Sequence, residues 1–127
     1  MKKYTLMMVV LVTCLALASG GFAQDKDAIK KQVDDIVMAI DGGKKASDFA
    51  SAANNKPYYV YIMEKGGNLL VHPSLAGKNL KDVAAPAYEA VSKGTPAGTW
   101  VKYMWPDVEK NAYVRSTKSG LIVGSGY

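Results

Sequence analysis

The feature that most narrows the fold of this chain is a change of apolar period at Pro57. Ahead of it, Ile29, Val33, Ile36 and Ile40 recur at helical spacing, with Val37 widening the stripe. Past it, PYYVYIME and GTWVKYMWP are dense in aromatic and β-branched residues and read as strands. Helices first and antiparallel strands afterwards make an α+β domain. The first helix is expected over 25–41, with Asp25 and Asp27 in its first turn and Gly42-Gly43 as its stop. A second, short helix runs from Ser47, a suitable N-cap, to Ala53. The Lys65-Gly-Gly-Asn68 turn then joins a strand from Tyr58 to a return strand over 69–72. A loop over 74–83 leads to a helix from Pro86 to about Lys93. Three further strands are expected at 99–105, 112–117 and 121–125, with a turn over 106–111.

The chain has 127 residues, enough for one domain. Residues 1–23 have the form of a signal peptide. Lys2 and Lys3 form the basic end, 6–18 the apolar run, and Gly21-Phe-Ala23 a small-x-small cleavage site. The apolar run is shorter than the roughly 20 residues a membrane span needs, so no anchor is expected in the mature protein. Thr13 is a poor residue to precede an acylated Cys14, which argues against a lipoprotein. The expectation is a periplasmic or secreted domain over 24–127. Cys14 is the sole cysteine and leaves with the leader, so no disulfide, thiol nucleophile or thiolate metal site is expected. Of 16 basic and 11 acidic residues, two lysines belong to the leader, leaving a net +3 that is scattered along the chain. That is no nucleic-acid footprint.

The ordered series YVYIMEKGGNLLVHP, LAGKNL, GTWVKYMWP, AYVRS and LIVGSGY resembles the single Cache domain, the extracellular sensor of many bacterial chemoreceptors and histidine kinases. The likeness spans nearly all of 24–127. It implies a PAS-like, five-stranded antiparallel sheet, a long N-terminal helix along it, and a small pocket. It also implies a ligand such as acetate, propionate, lactate or pyruvate, and a membrane receptor or histidine kinase as partner. Family members usually continue into a membrane helix and an output domain. Here the sequence stops at Tyr127, after the last strand, which points to a free binding domain.

A carboxylate in an enclosed pocket needs donors for its oxygens and apolar walls for its tail. Tyrosine offers both. Strand parity puts Tyr59, Tyr61 and Met63 on one face and Tyr58, Val60 and Ile62 on the other. It likewise opposes Val101, Tyr103 and Trp105 to Trp100, Lys102 and Met104. Parity alone leaves the pocket face open. The candidate ligand-binding residues are Tyr61, His72, Lys78, Tyr103, Trp105, Tyr113 and Arg115. Tyr103 and Trp105 stand on the resemblance of their strand to pocket-lining strands, and Lys78 on its loop. His72, the sole histidine, could donate to a carboxylate, although a lone histidine before proline is more often structural. Arg115, the sole arginine, has the planar fork that fits a carboxylate. With one histidine and no nucleophile elbow, metal cluster or haem motif, no catalytic, metal or cofactor site is expected. The leading expectation is a binder of a small organic anion. The alternative is a ligandless module that docks on a membrane sensor or transporter.

Overall fold

The structure is a computed structural model that describes residues 25–127. The expected leader over 1–23, with Cys14 and the cleavage site, lies outside the described residues. Helix α1 spans Lys26–Asp41 and starts where the Asp25 carboxylate accepts the Ala28 N–H at 3.0 Å. It ends at Gly42, whose N–H bonds back to the last turn. Its stripe of Ile29, Val33, Ile36, Val37 and Ile40 is buried, each side chain contributing about 1.5–3 kcal/mol on leaving water.

The second helix differs from expectation: Ala46–Asn54 is a 3₁₀ segment with a non-helical break at Phe49. Ser47 does not cap it. Lys45 occupies the cap position, and the Asp48 carboxylate reaches back to accept the Lys45 N–H at 3.0 Å. Strands β1 (Val60–Met63) and β2 (Leu69–Val71) form the first hairpin, with an irregularity between Ile62 and Met63. The expected loop over 74–83 contains a one-turn helix α2, Leu80–Val83, capped by the Asn79 side chain on the Lys81 N–H. The same side chain also donates to the Gly66 carbonyl and to Asn68, tying α2 to the hairpin turn. Helix α3 is Ala85–Val91.

Strands β3 (Thr99–Met104), β4 (Glu109–Ser116) and β5 (Ile122–Gly126) follow. β4 begins three residues earlier than the sequence suggested. The Trp105 N–H donates to the Val108 carbonyl at 2.8 Å, which closes the turn tightly and leaves Glu109 opposite Met104. The strand order is β2-β1-β5-β4-β3, with every named neighbour antiparallel. Both faces of the sheet are covered. On one face, α1 and the 3₁₀ segment pack on Val60, Ile62, Val123 and Tyr113. On the other, Leu80, Ala87 and Val91 from α2 and α3 pack on Tyr61, Met63, Val114 and Ile122.

Candidate functional site

The face that carries α2 and α3 is not filled. It encloses a cavity of about 180 Å³ lined by Tyr59, Tyr61, Leu69, His72, Pro73, Ser74, Leu80, Ala87, Val91, Tyr103, Trp105 and Lys110. The sheet bends around it. β2 and β3 are the sheet's opposite edges, which in a flat sheet would stand roughly 19 Å apart at strand spacing. Yet His72 and Trp105, each one residue past its edge strand, bring their rings to 6.2 Å. The two edges therefore meet over the cavity. The inner floor is apolar: Leu69, Leu80, Ala87 and Val91 are each at most 3% exposed.

Tyr61 in β1 and Tyr103 in β3 point to this face, as do Tyr59, one residue before β1, and Trp105, one residue past β3. The Tyr61 ring lies across Gly124, its partner in β5, where a Cβ would collide with it. Its hydroxyl is enclosed and has no hydrogen-bond partner among the described residues. The Tyr103 hydroxyl is near enough to influence its ionisation but stands outside bonding geometry. Burial pushes the Tyr61 phenol well above its ordinary value, with the neighbouring Tyr103 adding to the shift. Burial, reinforced by Tyr59, pushes Tyr103 up to about 12, and burial raises Tyr59 as well. All three phenols stay protonated at neutral pH and can donate.

His72 is held by its own backbone. Its Nδ1 accepts the N–H groups of Ser74 and Leu75, each at 3.0 Å. Two donors aimed at Nδ1 place the ring proton on Nε2. Burial lowers the His72 pKa, so the ring is a neutral donor. Lys110 lies opposite Tyr103 in the β3–β4 register, with its Nζ 5.8 Å from the Tyr59 ring centroid. It forms no ion pair among the described residues. The lining holds no carboxylate.

Four of the seven residues singled out from sequence thus lie together here: Tyr61, His72, Tyr103 and Trp105. The other three lie elsewhere. Lys78 is exposed, and its loop contributes backbone bonds to Leu69 instead. Tyr113 pairs with Trp100, so it points to the α1 face. Its hydroxyl donates to Asp34 Oδ1 at 3.2 Å and to the Ala97 carbonyl at 3.1 Å. Arg115 shares that face and is committed to Asp34 Oδ1 at 2.9 Å and to the Pro96 carbonyl at 2.7 Å. Burial works to raise the Asp34 pKa. Hydrogen bonds from Lys30 and Arg115 outweigh it and hold the carboxyl below its ordinary value. This cluster ties α1 to β4. Sequence reasoning missed Lys110 because 106–111 read as a turn. The signal was parity with Ala112, once the strand is carried back to Glu109.

Among the described residues no helix is long and apolar enough to cross a membrane, and no group of acidic, histidine or cysteine side chains could hold a metal. Compared with known protein families and with curated proteins, the chain matches none. Among solved structures, it is similar to the crystal structure of a methyl-accepting chemotaxis protein from Vibrio parahaemolyticus RIMD 2210633. The two superpose with a TM-score of 0.50 over 80% of this chain and 86% of that one, at 17% sequence identity. At that identity the likeness is one of fold.

Proposed function

We propose that this chain is a sensor-type binding domain of the single Cache kind whose cavity takes a small organic anion. One observation carries the reading: the cavity offers the phenols of Tyr59, Tyr61 and Tyr103, the His72 Nε2–H and the Lys110 ammonium, with no carboxylate among them. An ammonium group, including that of an amino acid, finds no countercharge there. A carboxylate finds donors, and its short tail finds Leu69, Leu80, Ala87 and Val91. The unpartnered Tyr61 hydroxyl supports the same reading, since a buried polar group without a partner costs roughly 1–3 kcal/mol that a ligand oxygen would recover.

The test is a thermal-shift screen of two- to four-carbon acids, with amino acids, amines and purines alongside. An acid at a hundred times its Kd adds about 2.7 kcal/mol to the folded state. For a domain of this size that raises Tm by roughly 10–20 °C. Shifts from amines or purines alone, or from nothing once co-purifying molecules are dialysed away, refute it.

A second reading has its own observation. Leu75, Val83, Ala84, Pro86, Met104, Trp105 and Pro106 line an apolar groove of about 490 Å³ beside the cavity, with Val83 and Met104 about half exposed. Such a groove suits a module that docks on a membrane sensor or transporter. We place the domain in the periplasm or outside the cell on the strength of the 1–23 leader, and its service to a membrane receptor or kinase rests on the Cache resemblance. N-terminal sequencing of exported protein should read from Gln24, and retention of Met1 overturns the placement.

A further inference from the structure

Every cation that the sequence offered to the ligand is engaged elsewhere or faces solvent. Arg115 is bound to Asp34 on the far face of the sheet. Lys78 is exposed and absent from the lining. His72 lines the cavity, but two backbone N–H groups occupy Nδ1, so protonation there would turn donor against donor. The remaining donors are phenols that stay neutral. Lys110 alone brings a formal charge to the cavity, and no acid competes for it in an ion pair among the described residues.

We infer that the site reads its ligand with two separate tools: Lys110 determines charge, and the Tyr61 hydroxyl recognises an oxygen atom whatever the charge. This deepens, and rests on, the anion-binding reading. The positions suit the roles. Lys110 is half-buried, its stem on β4 opposite Tyr103 and its ammonium beside the Tyr59 ring, where it keeps contact with water. Tyr61 is 3% exposed, on the enclosed side of the cavity. The Tyr61 O–H is neutral and without a partner among the described residues, so it can donate to a carboxylate oxygen or to an amide carbonyl. Lys110 is thus the specificity-determining residue between an acid and its neutral isostere.

Propionate and propionamide share shape and differ by the charge, so titrating both separates the two tools. Wild-type protein is expected to prefer propionate. Lys110→Met keeps the apolar stem and removes the charge. It should weaken propionate at least about tenfold while leaving propionamide within about threefold, because the lost term is Coulombic. Lys110→Arg should restore the preference. Tyr61→Phe keeps the ring over Gly124 and should weaken both probes, the acid somewhat more. The inference is overturned if Lys110→Met weakens both probes alike or neither, or if Tyr61→Phe affects the acid alone. Binding of neither probe, nor of any acid in the screen, by wild-type protein refutes the anion reading itself and this inference with it. Circular dichroism of each variant shows that the fold persists.

Discussion

Gly124 sits in the middle of β5 with no side chain and, unlike several glycines in this chain, with φ outside the left-handed region. The backbone therefore does not require glycine; the Tyr61 ring does. A Cβ at position 124 would meet the Tyr61 ring carbons and hydroxyl far inside contact distance. With Tyr61 and β5 both buried, the ring has only the cavity to move into. In Gly124→Ala two effects oppose. Alanine is preferred over glycine in a strand interior by roughly 0.5–1 kcal/mol. Overpacking costs typically about 1–3 kcal/mol. The collision should win, for a net loss of about 1–2 kcal/mol, or a Tm lower by roughly 5–15 °C in a domain of this size. Urea unfolding gives the number. The cause is isolated by repeating the substitution in a Tyr61→Ala background, where alanine at 124 should be neutral or stabilising. A stabilised single variant, or the same loss in both backgrounds, would refute the claim that the ring rests on Gly124.

The pocket face can be checked on β3: Tyr103→Phe should cost roughly 1.5–3 kcal/mol in acid affinity measured calorimetrically, as for hydrogen bonds to charged groups. Lys102→Ala, exposed on the other face, should leave affinity within about threefold. His72 gives a pH dependence. Its folded pKa lies below the ordinary 6.5, so the unfolded chain binds the proton first. Stability should be full above pH 6.5 and fall as pH drops from there towards the folded value, and urea midpoints for His72→Asn should be flatter over that range. Asp34 acts lower: its folded pKa is below the ordinary 3.8, so its contribution is present above that value and is lost as pH falls through the folded one. Asp34→Asn should cost about 1 kcal/mol at neutral pH, discounted for partial exposure, and should flatten the acid limb of stability measured by urea titration.

The fold was legible wherever one pattern ran long enough to fix a face. The α1 stripe and the alternation of 59–63 and 101–105 place side chains as the structure has them, because a period of 3.6 or 2 leaves one solution once a face is buried. Relations between strands were not legible. Tyr113 and Arg115 have the right chemistry for a carboxylate, but the register that sets Tyr113 against Trp100 turns both to α1. A single sequence does not state that register. Lys110 was hidden for a related reason: one bond between Trp105 and Val108 decides whether 109–111 is turn or strand. Lys78 shows the limit of loop position as a guide, since its backbone is engaged while its side chain is not.

The meeting of His72 and Trp105 has a consequence for cooperativity. The cavity takes one wall from the β2 edge and another from the β3 edge, and the three strands between them hold these apart in register. No hairpin or helix contains the site, and no partly folded form that has lost an edge strand retains it. A ligand held there favours only states in which all five strands are paired. Its protection against hydrogen exchange should therefore spread to the slowest amides on both faces of the sheet, α1 included, and not stay confined to the lining. The ligand would act as a staple on global unfolding, so that occupancy could be read at a distance from the pocket without any rearrangement of the native structure.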